Sequence, residues 1–233
     1  MKKVKNQSIK IYKRKCEEIE ILIYYRMLLQ RISRHLSPKE VSFLMGKPLD
    51  FMTSIETFKI KSILAYDSLV MHRVLEINNL SAMVHLGHKI SFQENAYELH
   101  VTTLADRVIY ELYKIDVEQD QKVMEFKLID IRHDIDPHTN STMNEVKKIR
   151  ILLDEQIDAG YFKEERQPSE IHALCCVELK QYIQPKNLML VVDELLQGSE
   201  ERRIVRHQTE YGFGYVLAAH AKSTENCFKD PKP

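Results

Sequence analysis

The feature that most constrains the fold of this chain is the segment 36–56, whose pattern predicts two short helices joined by a tight turn. Ser37 followed by Pro38 is typical of a helix start, because a serine hydroxyl caps the helix and proline fits the first helical position. Glu40 lies three residues after Ser37 and completes a capping box. Gly46 can adopt the positive φ that ends a helix. The segment is therefore predicted to form a helix-turn-helix.

The rest of residues 1–80 is predicted to be almost wholly helical. We expect the second helix of the pair to open at Pro48. Residues 11–35 are predicted to form one long helix, since their apolar residues recur at spacings near 3.6, and residues 66–75 another. Four apolar side chains of the helix-turn-helix are expected to pack inward together: Val41, Met45, Met52 and Ile55.

The middle of the chain has a different pattern. Residues 97–104, 107–114 and 123–131 mix β-branched and aromatic residues with alternation, which predicts two or three strands. Residues 134–141, with Pro137 and polar neighbours, are predicted to be a linker.

The C-terminal part is predicted to contain three helices followed by a β-hairpin, the element order of a winged helix. The helices are expected at 145–159, 168–179 and 185–196, and the strands at 202–207 and 211–217. The third helix is apolar and acidic, which fits a buried or dimer-forming helix better than one that reads DNA. Its predicted interface residues are Leu188, Leu195 and Leu196.

The chain is thus predicted to be mainly α, within the α+β class. It would contain an N-terminal helical domain with the helix-turn-helix, a short β-containing middle segment and a C-terminal winged-helix-like module. The expected boundaries are 1–80, 81–138 and 141–220, with a tail at 221–233.

Charge is distributed unevenly along this chain of zero formal net charge. Residues 1–80 carry 15 lysines and arginines against 8 acidic residues. Clustered positive charge is what contacts to DNA phosphates require. A solubilising, partly disordered tail is an equally weighted alternative. The cations predicted to contact phosphate are Lys13, Arg14, Lys15 and Arg34.

Residues 28–75 resemble the lambda-repressor-like (Cro-type) helix-turn-helix family. The resemblance rests on Ser37, Glu40, Val41, Gly46, Ile55 and Glu56, followed by the helix start Tyr66-Asp67-Ser68-Leu69. In that family the second helix of the pair enters the major groove of double-stranded DNA and the first crosses the phosphates. The resemblance therefore implies a DNA-facing set of Pro48, Leu49, Asp50, Phe51, Thr53 and Ser54, and Lys47, just before this set, is also predicted to bind DNA.

This implied DNA-reading face departs from the usual chemistry. Base edges are hydrogen-bond donors and acceptors, whereas Leu49 and Phe51 can touch only thymine methyls or unstack a base. Asp50 would need a cytosine amine as its donor. Lys47 stands where the family has a core aliphatic residue, so its charge would have to reach the surface.

Catalytic and metal-binding signals are weak throughout the chain. No GxSxG, GxxxxGK[ST] or HExxH motif occurs, and no GxGxxG follows a strand. The histidines at 133, 138, 85 and 88 are interpreted as turn or surface residues. The cysteines lack CxxC spacing and are interpreted as reduced thiols. We therefore expect neither enzyme activity nor a metal or other cofactor.

The sequence favours a cytoplasmic, bacterial-type transcriptional regulator with a C-terminal module for dimerisation or partner binding. The alternative is a protein–protein interaction or assembly subunit that uses the same scaffolds to bind protein. In that case Leu49, Phe51 and Phe58 would contact the partner. No membrane segment is expected, because the longest apolar stretch, 19–29, is interrupted by Glu20 and Arg26.

Overall fold

The structure is a computed structural model that describes residues 8–77, 93–116, 121–132, 140–209 and 212–221. The chain divides into two compact units, Met1–Thr139 and Asn140–Pro233. The histidines at 85, 88, 133 and 138, most of the predicted linker 134–141 and nearly all of the tail 221–233 lie outside the described residues.

The first unit combines a four-stranded antiparallel sheet with helices. Its strands follow the order β1-β2-β3-β4 across the sheet. The described elements, in chain order, are β1 (Ser8–Glu17), α1 (Glu18–Ser33), α2 (Pro38–Leu44), α3 (Phe51–Glu56), α4 (Ala65–Val74), β2 (Glu94–Thr103), β3 (Arg107–Asp116) and β4 (Gln121–Ile131). The three strands predicted in the middle of the chain are confirmed as β2, β3 and β4.

The prediction of a mainly α protein with an N-terminal helical domain is wrong. Residues 8–17 form β1, which pairs along its whole length with β2, from Ser8 opposite Thr103 to Glu17 opposite Glu94. The first seven residues of the predicted helix 11–35 are therefore strand. The middle strands do not form a short segment of their own, because β1 joins them in one sheet. The fold is α+β, and the proposed layout of a helical domain, middle segment and winged-helix-like module is withdrawn.

One face of the sheet packs on the helices. Helix α1 begins where Glu17 and Glu20 form a capping box, and it directs Tyr24 and Leu28 into the core. From the sheet, Leu99 and Leu112 face these side chains and are fully buried. Burial of a side chain of this size stabilises the fold by roughly 1.5–3 kcal/mol, so the sheet and the helices depend on one shared core.

The opposite face of the sheet carries ion pairs. Glu98 accepts from Lys122 at 2.6 Å and pairs with Lys13 at 2.9 Å. Hydrogen bonds from these two lysines, Lys122 foremost, lower the pKa of Glu98 to about 2. Lys127 pairs with Glu111 across β3 and β4 at 2.8 Å. Charges on this face are therefore largely matched.

The second unit contains three α-helices and a two-stranded antiparallel sheet. Its elements are α5 (Asn140–Asp158), a 3₁₀ turn (Tyr161–Lys163), α6 (Pro168–Glu178), α7 (Pro185–Leu196), β5 (Ile204–Thr209), β6 (Gly212–Leu217) and a second 3₁₀ turn (Ala218–His220). Each helix and strand predicted for this part is present; α7 has the predicted bounds, and the ends of the others differ by at most five residues. This order of three helices and a hairpin in the second unit does not make the prediction of a mainly α fold correct.

Candidate nucleic-acid interface

Helix α2 begins as its sequence predicts. The hydroxyl of Ser37 accepts from the backbone N–H of Glu40 at 3.2 Å, and the Glu40 carboxylate accepts from the N–H of Ser37 at 2.7 Å. Pro38 is the first helical residue. This capping box satisfies two backbone donors that the first turn otherwise leaves without partners, and it fixes where the helix-turn-helix segment starts.

The turn between α2 and α3 is held by backbone geometry. Gly46 has φ of +65°, a conformation that glycine adopts without strain. Its N–H donates to the Phe43 carbonyl at 2.9 Å. The second helix begins at Phe51, not at Pro48 as predicted, because the Pro48 carbonyl accepts from the Phe51 N–H within the turn.

A single hydroxyl joins the two short helices. Ser42 donates to the Pro38 carbonyl at 2.8 Å and accepts from the N–H of Met52 at 3.0 Å. Because Met52 lies in the first turn of α3, this hydroxyl gives a partner to an N–H that the helix itself cannot satisfy. The four side chains predicted to pack inward, Val41, Met45, Met52 and Ile55, all lie in the core of the first unit.

A buried ion network fixes α1 and α3 against the sheet. Arg31, fully buried, donates to Glu56 through Nε at 2.5 Å and through Nη2 at 3.2 Å. Its Nη1 donates to the Leu36 carbonyl at 2.7 Å and to Asp130 at 2.8 Å. Nη2 also reaches the Tyr110 hydroxyl at 3.4 Å, so all five donors of the guanidinium have acceptors.

The carboxylate of Glu56 receives further support inside this network. The Tyr110 hydroxyl donates to it at 3.1 Å. Burial raises the pKa of Glu56, and the attraction of Arg31 opposes that rise. Burial likewise raises the pKa of Tyr24 well above its ordinary value, and its hydroxyl donates to the Glu56 backbone carbonyl at 2.9 Å. The end of α3 is therefore held by side-chain and backbone contacts together.

The segment implied by the resemblance to face DNA lies at the surface. Four of its residues are exposed, and Leu49 is 42% exposed. Phe51 and Ser54 are half-buried. The exposed members are Pro48, Leu49, Asp50 and Thr53.

Two of the predicted DNA-binding cations already have partners in the first unit. Lys47 pairs with Asp67 at 2.7 Å, and its side chain is only 13% exposed. Its Nζ also lies 5.4 Å from the centre of the Phe51 ring. Arg34 donates to the Gln30 side chain at 2.6 Å and to the Glu76 carbonyl at 3.3 Å. Both side chains are engaged within the unit.

The cluster of Lys13, Arg14 and Lys15 is divided between the two faces of β1, because successive strand residues point in opposite directions. Arg14 lies on the helical side, where it pairs with Glu20 and donates to the Lys61 carbonyl at 2.6 Å. Lys13 and Lys15 lie on the other face, away from α2 and α3. These three side chains therefore form no single basic patch.

Three exposed lysines that were not predicted from the sequence precede or follow the exposed segment along the chain. Lys39 lies in the first turn of α2, and Lys59 and Lys61 follow α3. All three are exposed, and no side-chain ion pair involves them among the described residues. The backbone N–H of Lys59 donates to the Ser54 carbonyl at 2.9 Å, which places Lys59 at the end of α3. Lys39 lies at the start of the first predicted helix, and Lys59 and Lys61 follow the second. These positions in the sequence could have identified the three lysines as candidates for phosphate contacts.

The leucines predicted to form an interface belong mainly to the core of the second unit. Leu188 and Leu195 are 0% and 1% exposed. Together with Val191 and Val192 they form the buried face of α7. Leu196 is half-buried. A partner could reach only Leu196 of the three without opening the unit.

Reactive groups are few in the described part of the chain. Burial raises the pKa of the Cys16 thiol to about 11 and that of Cys175 to about 12, so both are protonated near neutral pH. The described residues contain no group of three or more His, Cys, Asp or Glu side chains that could hold a metal ion. Among those same residues, no helix is long and apolar enough to cross a membrane.

No protein-family model, no curated protein and no solved structure matches this chain.

Proposed function

We propose that the first unit binds duplex DNA and that the protein is a DNA-binding regulator. The observation that carries this proposal is the exposed surface of residues 48–54 on a rigid pair of helices, flanked by three exposed lysines. Lys39, Lys59 and Lys61 supply the phosphate contacts, which dominate the affinity of such proteins. The surface between them faces the groove.

Base recognition through this surface is modest in our proposal. Thr53 and Ser54 can exchange hydrogen bonds with base edges, and Leu49 can contact a thymine methyl. Asp50 repels phosphate, so it can lie against a base only where a cytosine amine donates a hydrogen bond to its carboxylate. We therefore expect binding in which phosphate contacts supply most of the affinity and sequence preference is small.

The salt dependence of binding to a random-sequence duplex tests this proposal, with fluorescence anisotropy as the measurement. Each neutralised phosphate contributes about 0.9 to the negative slope of log K against log salt concentration. The triple variant Lys39→Gln, Lys59→Gln, Lys61→Gln should therefore flatten the slope by between about 2 and 3.

A charge-matched control is available in the second unit. Lys147, Lys148 and Lys180 are exposed, and replacing all three with glutamine removes the same total charge. This control should leave the slope unchanged. Absence of binding at low salt, or equal flattening in both triple variants, would show that the proposed surface is not the DNA site.

Protein binding through the same surface is a second candidate, favoured by the exposure of Leu49 next to Pro48. An exposed apolar side chain on a rigid turn is suited to insertion into a partner's pocket. The variant Leu49→Ser separates the two functions, since it removes apolar area and no charge. Loss of a complex or oligomer with the salt slope preserved would favour protein binding. A partner-binding role for the second unit stays a prediction.

A further inference from the structure

The first unit contains a cavity lined by residues of β1, α1, α3, α4 and the segment 57–64 that joins α3 to α4. Its volume is about 220 Å³. An engineered apolar cavity of about 150 Å³ in another protein is large enough to bind benzene. The cavity therefore has room for a ligand with one ring and a short substituent. Its apolar lining consists of Ile23, Tyr24, Met27, Ile55, Ile60 and Ile63.

Part of this lining belongs to the core of the first unit. Tyr24, Met27 and Ile55 are 5%, 0% and 3% exposed. Tyr24 is also fixed by the hydrogen bond that its hydroxyl donates to the Glu56 carbonyl at 2.9 Å. These side chains are held in place without a ligand, so the cavity is formed in advance, as is usual for sites that bind small molecules.

Charged side chains adjoin this apolar lining. Arg14, Glu20 and Lys61 also line the cavity, and two cations with one carboxylate give the lining an excess of one positive charge. Glu20 is paired with Arg14, whereas Lys61 is exposed and has no side-chain ion pair among the described residues. A single anionic group on a ligand would balance this charge, and a cationic ligand would be disfavoured.

Arg14 is the group best suited to bind a carboxylate. Its side chain is only 13% exposed, and its guanidinium carbon lies 5.7 Å from the centre of the Phe58 ring. Its Nη2 contacts Glu20 and donates to the Lys61 carbonyl at 2.6 Å. Within the part of the chain that the structure describes, Nε and Nη1 of Arg14 donate to no protein acceptor. These donors are available to a ligand carboxylate, and hydrogen bonds between a guanidinium and a carboxylate are among the strongest in proteins.

We propose that this cavity binds a small monocarboxylate whose apolar body is about the size of one aromatic ring. The apolar body lies against the isoleucines, and the carboxylate accepts hydrogen bonds from Arg14 and Lys61. Removal of the ring from water supplies affinity, and the two cations select an acid over a neutral molecule of the same shape. This proposal does not rest on DNA binding, and its test uses no DNA.

Isothermal titration calorimetry of the full chain with phenylacetate tests the site. We expect saturable binding with a dissociation constant below about 1 mM. Phenylacetamide has nearly the same shape but no charge, so it should bind at least about tenfold more weakly. Equal affinities for the acid and the amide would overturn the proposal. The absence of saturable phenylacetate binding up to about 10 mM would do the same.

A variant that fills the cavity locates the bound ligand. Ile23 is half-buried on α1 and lines the cavity, so the ring in Ile23→Phe should occupy the ligand's space and weaken phenylacetate binding at least about tenfold. The matched control is Leu22→Phe, because Leu22 is the neighbouring residue on α1, is 36% exposed and does not line the cavity. It should leave the affinity unchanged. Equal affinities of the two variants would place the ligand elsewhere and overturn the proposal.

The variant Arg14→Gln tests the contribution of the guanidinium. It should reduce the preference for phenylacetate over phenylacetamide at least about threefold. This preference compares two ligands on the same protein, so a loss of stability alone does not change it. A folded Arg14→Gln variant, checked by circular dichroism, that keeps the full preference would overturn the role given to Arg14. If the variant does not fold, the comparison of acid and amide on the parent protein decides.

Discussion

Replacement of Arg31 by methionine is expected to lower the free energy of unfolding of the first unit by about 4 kcal/mol. The substitution leaves the carboxylates of Glu56 and Asp130 buried without their common cation. Removal of one partner of a buried ion pair typically costs about 3–5 kcal/mol, because the remaining charge has lost its water and its counterion. Urea unfolding followed by circular dichroism measures the loss.

The pH dependence of this loss identifies its cause. Without Arg31, burial acts unopposed on the Glu56 carboxyl and holds its folded-state pKa above its unfolded value. A raised folded-state pKa means stability that is present at low pH and lost as the pH rises through that pKa. The difference between variant and parent should therefore be largest near neutral pH, shrink as the pH falls through the raised pKa of Glu56, and be small below the ordinary glutamate pKa of 4.5.

The control for this variant lies on the same helix. Arg26 is half-buried on α1, and Arg26→Met should change the free energy of unfolding by no more than about 0.5 kcal/mol. Equal effects of the two substitutions would show that the buried network contributes no more than an ordinary surface arginine does.

Replacement of Lys47 by methionine should destabilise the first unit by about 2–3 kcal/mol while leaving the salt slope of DNA binding unchanged. Lys47 is the ion-pair partner of Asp67, whose side chain is 5% exposed. The pair ties the turn of the helix-turn-helix to α4, so its loss leaves a buried carboxylate without its cation. Thermal or urea unfolding and the anisotropy titration measure the two effects.

Lys39→Met is the reciprocal control, since Lys39 is exposed and in no ion pair among the described residues. It should change stability by at most about 0.5 kcal/mol and flatten the salt slope by about 1. If Lys47→Met instead flattened the slope without a loss of stability, Lys47 would contact DNA phosphate, in line with its prediction as a DNA-binding residue.

Local signals predicted the elements whose geometry is set by neighbouring residues. The capping box of Ser37 and Glu40 and the positive φ of Gly46 each depend on residues within one or two turns. The strands β2 to β4 were found from alternation within each strand. These features need no knowledge of a distant partner.

Features that depend on distant partners were not predictable in this way. Apolar residues of 11–17 fit a helical period, yet they form a strand because β2, some eighty positions later, supplies the hydrogen bonds. Arg31 contributed to the positive charge of the N-terminal third, but it lies in the core with Asp130, a partner 99 positions away. A charge count cannot separate paired cations from free ones, which is why Lys39, Lys59 and Lys61 were missed.

Hydrogen exchange of the full chain, with and without an excess of duplex DNA at low salt, tests the proposed function most directly. If the helix-turn-helix surface binds DNA, amide exchange should slow in peptides that cover residues 45–62, and this protection should disappear at high salt. Peptides from the second unit should exchange at the same rate in both states. DNA binding that protects only the second unit, or leaves residues 45–62 unchanged, would contradict the proposal.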